Sequence, residues 1–221
     1  MKIKPIIFSG PMVLAILSGA KTQTRRAVKG EIGELNGVPT LNGQPLVDCP
    51  AVLAQCPYGK PGEQLWVREN FSGPHCMEAG EGCAAVPPGK WAHESRIWYW
   101  ANGEPSYGDW TRPHQSIHMP RWASRITLEI VSMRIERLQD ISKADALAEG
   151  AKFHDGRGIG HSGWRHDDKD GYVYDNARSA YARLWQKING PGSWNANPWV
   201  WVIEFKRVGQ TINNEDKNGK S

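Results

Sequence analysis

Residues 125–138 constrain the fold more than any other part of the chain. Ile126, Leu128 and Ile130 alternate with polar residues, so their side chains share one face of an extended strand. Beyond Ile130 the apolar positions change phase to Val131, Met133 and Ile135. A strand keeps one face buried through a one-residue slip only by a β-bulge or a bend. Such a strand suits a small barrel that turns a corner. Residues 198–208 supply a second fixed point. Trp199-Val200-Trp201-Val202-Ile203 is apolar at every position, which predicts a strand buried on both faces.

The remaining pattern is mixed. Residues 3–8 read as a short buried strand and 12–18 as a short helix, with Pro11 at its first position and Gly19 just past its end. Residues 64–71 form a strand candidate that carries Arg68 and Glu69 on opposite faces. Residues 142–149 predict a helix opened by the capping pair Ser142 and Asp145 and closed by Gly150. Residues 175–188 predict an amphipathic helix with Ala177, Tyr181, Leu184, Trp185 and Ile188 as its apolar stripe, Asp175 as its cap and Gly190-Pro191 as its end. Between these lie a Gly-, Pro- and Asn-rich connection (29–63), an insertion or lid holding Trp91, Trp98, Tyr99, Trp100 and Trp110 (72–118), and a Gly-, His- and Asp-rich flap (151–173). The polar tail 209–221 is expected to fray. No dinucleotide-binding glycine fingerprint is present. The pattern predicts an α+β fold, one domain over 1–208 built around a small bulged β-barrel with flanking short helices and these insertions.

Composition narrows the function classes. With 39% hydrophobic residues, 23% charged residues and 11 tryptophans in 221 residues, the chain can build a packed core. Its net charge of +4 suits a nucleotide or nucleic-acid partner but not a histone-like role. Cys49, Cys56, Cys76 and Cys83 are spaced too widely for a structural zinc site, and reduced thiols in a cytoplasmic protein are expected. His154, His161 and His166 with Asp155, Asp167 and Asp168 fit no standard metal site, so neither metal nor cofactor is expected. The apolar run Ile6 to Leu17 behind Lys2 and Lys4 is broken by Ser9-Gly10-Pro11, which argues against an export signal. No run reaches membrane-spanning length, so no membrane partner is expected.

The chemistry concentrates at Ser18-Gly19-Ala20-Lys21-Thr22-Gln23-Thr24-Arg25-Arg26. A threonine hydroxyl attacks only when a base removes its proton, and a desolvated lysine can be that base. Lys21 and Thr24 therefore form a candidate base and nucleophile. The alternative is that Lys21 neutralises the preceding helix end while Thr24 fills a strand position. Glu149 stands at the last position of its helix, where a negative charge opposes the dipole by about 0.3–1 kcal/mol. Residues that break a local rule often serve function. A carboxylate there could orient Lys21 or pass a proton, or it could be an exposed glutamate without a role. Glu69 is the competing carboxylate, with a buried ion pair to Lys21 or Arg26 as its structural reading.

On Ile16-Leu17-Ser18-Gly19-Ala20-Lys21-Thr22-Gln23-Thr24-Arg25-Arg26 the chain resembles the ASCH family, a branch of the PUA-like superfamily. Gly62-Glu63-Gln64-Leu65-Trp66-Val67-Arg68-Glu69, the strand 125–138, Ala146-Leu147-Ala148-Glu149-Gly150 and Trp199 to Lys206 follow in order, while 72–118 and 151–173 depart from the short members and resemble long prophage-type ones. The resemblance implies RNA or nucleotide binding. It also implies, from one small branch, hydrolysis of the N4-acyl amide of N4-acetylcytidine without a metal. By resemblance Thr24 is the nucleophile, Lys21 the base and Glu149 the acid. Arg25, Arg26, Trp66, Arg68 and Glu69 are then the expected substrate-binding residues. A non-catalytic RNA-binding module, or a weak ribonuclease, is the alternative expectation.

Overall fold

The computed structural model describes residues 3–46, 50–73, 97–106, 110–155, 162–165 and 173–208. Along the chain these form β1 (Ile3–Ile7), α1 (Gly10–Leu17), β2 (Gln23–Ala27), β3 (Ile32–Leu35), β4 (Val38–Leu41), β5 (Gln44–Pro45), α2 (Pro50–Leu53), β6 (Gln64–Arg68), β7 (Phe71–Ser72), β8 (Trp98–Tyr99), β9 (Thr127–Arg137), α3 (Lys143–Ala148), β10 (Lys152–His154), β11 (Gly163–Arg165), α4 (Ala177–Asn189) and β12 (Trp199–Arg207). The architecture is mixed α+β. A five-stranded sheet in the order β1-β6-β9-β12-β2 organises it, with β1 parallel to β6 and the other pairs antiparallel.

Strand β12 lies inside the sheet because both of its faces are apolar. Trp201, Ile203 and Phe205 enter the larger core with Ile6, Val13, Leu65, Leu128 and Ile130. Val200 and Val202 enter a second core against Leu138, Tyr181, Leu184 and Trp185, which seats α4 on the opposite face. The phase slip in β9 is a bulge. Glu204 faces Ser132 while Phe205 faces Ile130, so Val131 is left over in the register. It turns outward, 51% exposed, and Ile130 and Met133 on either side stay buried.

The expected barrel does not close. Strands β1 and β2 are the sheet's two edges, and among the described residues no backbone ladder joins them. Instead Arg26 Nη2 on β2 donates to the Ile7 carbonyl on β1 at 2.6 Å. A long side chain spans the seam that backbone pairing would otherwise shut. Strand β1 is correspondingly an edge strand and not a buried one: Ile3 and Ile7 are exposed, and Ile6 and Phe8 reach the core. The connection 29–63 also differs from expectation. It forms the small sheet β3-β4-β5 and α2, and it sends Leu41, Leu46, Val52 and Cys56 into the larger core.

Helix signals behave largely as read, with two corrections. Helix α1 opens one residue earlier than expected, at Gly10 with Ser9 before it, so Pro11 is its second residue, and Gly19 follows its end at φ 76°. Ser142 and Asp145 form a complete capping box on α3, and Glu149 is the residue that ends it. Helix α4 is capped by Asn176, whose side chain accepts from the Ser179 amide, and not by Asp175. Trp91, Cys49, Cys76, Cys83, His161, His166, Asp167, Asp168 and the tail 209–221 lie outside the described residues. Among the described residues, no helix is long and apolar enough to cross a membrane.

Removing a capping hydroxyl leaves a helical amide unpaired at a cost of about 1 kcal/mol. Ser142→Ala is therefore expected to lower the unfolding free energy by about that amount. A lower urea midpoint with an unchanged denaturant slope would show it; an unchanged midpoint would contradict the cap.

Candidate functional site

The end of α1 and the end of α3 meet at β2. The Lys21 amide donates to the Ala15 carbonyl, and the Thr22 amide donates to the Ala148 carbonyl at 2.9 Å. These two backbone bonds bring Lys21 beside Glu149 across the sequence. Lys21 Nζ donates to Glu149 Oε2 at 2.6 Å and to the Glu149 carbonyl at 3.0 Å. The lysine thus satisfies the carboxylate and one of the free carbonyls at the helix end together. Both groups are buried, at 2% exposure each. Burial pushes the Lys21 amine below its ordinary value, with Arg26 and Arg25 adding to the shift, and the adjacent Glu149 carboxylate opposes it.

Arg25 completes the pair. Its Nη1 lies 3.3 Å from Glu149 Oε1, its Nη2 lies 2.5 Å from Glu136 Oε1, and the same Nη2 lies 3.3 Å from Asp145 Oδ2. Arg134 ties Glu136, Asp145 and Glu204 together at 2.7–3.0 Å. Burial would raise the Asp145 carboxyl. The Ser142 hydroxyl and amide outweigh it, with Arg25 and Arg134, and hold Asp145 at about 2. Tyr181 packs against Arg25, its ring centre 5.9 Å from the guanidinium carbon. Burial first, and Glu149 second, push its phenol well above the ordinary range, so it stays protonated.

Thr24 sits on β2 opposite Ile203 and is 3% exposed. Among the described residues its hydroxyl has no hydrogen-bond partner, and Lys21 Nζ bonds only to Glu149. Thr24 lines a recess of about 50 Å³ together with Arg25, Arg26, Glu149, Tyr181 and Trp185. Met12 and Ile188 border this recess and also a larger cleft of about 410 Å³. That cleft runs past Phe8, Ser9, Arg26, Asn70 and Trp100. Arg26 lines both spaces.

Arg25 lines the recess but is wholly engaged by carboxylates, so it holds Glu149 in place. The other expected substrate-binding residues fall elsewhere. Glu69 pairs with neither Lys21 nor Arg26. It takes a two-bond fork from Arg125, with Nε to Oε1 and Nη2 to Oε2 both at 2.9 Å. Burial raises the Glu69 carboxyl, and the Arg125 fork opposes the rise. Trp66 is buried with Phe71 and Met119, under the Arg68 guanidinium at 4.6 Å from its ring centre. Arg68 Nη1 donates to the Ile117 carbonyl. None of Trp66, Arg68 and Glu69 lines the recess or the cleft. Glu136 and Tyr181 enter the site without having been singled out for it. Tyr181 carried a signal only for the core, and Glu136 carried none, because its partner stands on a strand two places away in the sheet.

Among the described residues, no group of three His, Cys, Asp or Glu is placed to hold a metal ion. No protein-family model, curated protein or solved structure matches the chain.

Asp145 is held below its unfolded value of 3.8, so the unfolded chain binds the proton more tightly. Its ionised form stabilises the fold fully above pH 3.8, and the gain is lost as pH falls towards about 2. Asp145→Asn should therefore lower the melting temperature at neutral pH, with the gap from wild type closing through that window. A gap constant with pH in thermal melts would rule this out.

Proposed function

We propose that the protein hydrolyses the N4-acyl amide of an N4-acetylcytidine-type nucleoside, giving cytidine and a carboxylic acid. The observation that carries this reading is the buried Lys21–Glu149 pair, whose Glu149 lines one small recess together with Thr24. The resemblance to the ASCH branch of the PUA-like superfamily supplies the roles. Thr24 is the nucleophile, Lys21 its base and Glu149 the acid. The mixed α+β architecture agrees with the class expected of that family, while its expected barrel is not closed here.

The chemistry balances on one proton held by the pair. When it resides on Glu149, Lys21 is a neutral amine. The amine takes the Thr24 hydroxyl proton as Oγ1 bonds to the acyl carbon. The C–N bond then breaks and Glu149 gives its proton to the departing exocyclic amine, leaving an ester on Thr24. After the proton returns from Lys21 to Glu149, a water attacks the ester and gives its proton to Lys21. Thr24 leaves with the proton from Glu149, and the acid is released. Lys21 reaches Thr24 in this scheme by giving up one of its two bonds to Glu149. Arg25 holds Glu149 during that exchange, which keeps the carboxyl in place when the lysine moves. The scheme uses no metal.

A second reading has its own support. Lys21 spends both hydrogen bonds on Glu149 and none on Thr24, as a structural ion pair would. On that reading the cleft binds RNA through Arg26 without turnover, and binding weakens steeply with salt.

The two separate cleanly. Purified protein incubated with N4-acetylcytidine and EDTA should release cytidine. Thr24→Ala should keep its fold, by circular dichroism and melting, and lose about a hundredfold or more in kcat. The pH profile should be bell-shaped, because the pair must hold one proton. Its alkaline limb should lie below 10.5, the ordinary lysine value from which Lys21 is lowered. Unchanged turnover in Thr24→Ala sinks the hydrolase reading, and salt-sensitive RNA binding without any turnover establishes the second.

A further inference from the structure

One part of the larger cleft's wall is a built feature. It is the 3₁₀ turn Trp100–Asn102, which follows β8 and packs on the start of α1. The packing is close: a Cβ on Gly10 would lie 3.4 Å from the Ala101 Cα. The Trp100 amide donates to the Asn70 carbonyl at 3.0 Å, and the Gly103 amide donates to the Trp100 carbonyl. The indole nitrogen of Trp100 donates to Ser72 Oγ at 2.7 Å. With that one polar atom engaged, what Trp100 offers the cleft is ring surface in a fixed orientation.

The Glu69–Arg125 fork secures the same turn from behind. Arg125 is held by Glu69 on one side, stacks on Tyr99 with its guanidinium carbon 4.1 Å from the ring centre, and donates to Asn102 Oδ1 at 3.2 Å. Tyr99 and Asn102 flank Trp100 and Ala101. A buried carboxylate, a guanidinium and an aromatic ring are thus spent on fixing a short turn at the edge of the cleft. Arg26, which also lines the cleft, bonds the Ile7 carbonyl with one terminal nitrogen, and among the described residues its Nη1 has no protein partner. Asn70 and Ser116 add polar atoms to the lining.

We infer that this cleft seats the heteroaromatic ring of a nucleobase on Trp100, facing Arg26, with Glu69 and Arg125 as positioning residues that hold Trp100 in place. A pinned indole with no free polar atom suits a flat ring, since stacking on an aromatic face needs no hydrogen-bond donor from it. The Arg26 guanidinium suits the polar edge of such a ring or the ribose beside it. The volumes divide a substrate accordingly. The recess of about 50 Å³ at Thr24 takes a short acyl group, and the cleft of about 410 Å³ takes the nucleoside. This deepens the hydrolase reading by naming where the base lies, and its binding test stands without turnover.

The experiment is titration calorimetry of cytidine, the unacylated nucleoside, against wild type and variants, with N4-acetylcytidine kinetics in parallel. Trp100→Ala should weaken cytidine binding about tenfold or more, and Trp100→Phe should restore most of it. In kinetics Trp100→Ala should raise KM with kcat little changed. The positioning role is tested with Glu69→Gln and Arg125→Gln together, so that no buried charge is left alone. That double variant should weaken cytidine binding in the wild-type background and add nothing further in the Trp100→Ala background. Additive losses would overturn the positioning role. Cytidine binding that is absent, or indifferent to Trp100→Ala in a folded protein, would overturn the subsite even if hydrolysis occurs. Trp100-dependent cytidine binding without hydrolysis would keep the subsite and discard the hydrolase reading.

Discussion

The structure depends on a set of charges centred on three that water does not reach, Lys21, Arg25 and Glu149. Lys21 and Arg25 are buried on β2 and its approach, and they face Glu149, Glu136 and Asp145. A buried charge without its partner costs about 3–5 kcal/mol, so Lys21, Arg25 and Glu149 cannot be lost singly at low cost. The set also decides geometry. It fixes α3 to β2 through Glu149, β9 to β2 through Glu136, and β9 to β12 through Arg134 and Glu204. The one local violation, a carboxylate at the negative end of α3, is offset where it stands. Lys21 bonds both the carboxylate and the helix-end carbonyl.

That cluster lies beside an opening because the sheet does not close. Were β1 and β2 paired through their backbones, the strands would stand about 4.8 Å apart and the seam between them would be shut. A guanidinium bridging β2 to Ile7 keeps the edges associated yet separated. Trp100 and Ala101 of the turn after β8, with Ile188 of α4, line the cleft beside that seam.

What the sequence made legible is local. The change of phase after Ile130 became the Val131 bulge, because the alternation of side chains is set by the chain itself. Pro11, Gly19, Ser142 and Gly150 marked helix ends, because caps act within a few residues. What it hid is cross-strand. Glu69 carried no sign of Arg125 as its partner, and Glu136 none of Arg25, because those neighbours depend on sheet order. Strand β1 was misread as buried since a short apolar run looks alike at the edge and at the centre of a sheet. Asn176 and Asp175 are adjacent cap candidates, and only the first turn of α4 decides between them. The misplaced carboxylate at the end of α3 pointed towards Lys21, but only the three-dimensional fold brings the two together.

The site and the fold share one chain of hydrogen bonds and ion pairs, and this limits how the site can change. The Ser142 hydroxyl and amide hold Asp145, Asp145 pairs with Arg25, Arg25 pairs with Glu149, and Glu149 holds Lys21. A helix cap is therefore joined to the amine that would act as base. Burial makes Lys21 easier to deprotonate, and the carboxylate beside it works against that. Loosening the cap would let water to the pair, and water favours the charged amine. Tightening the pair would hold the proton on lysine. A base in this position works only between those limits, with a partner close enough to share the proton and a second cation, Arg25, to keep that partner from following it.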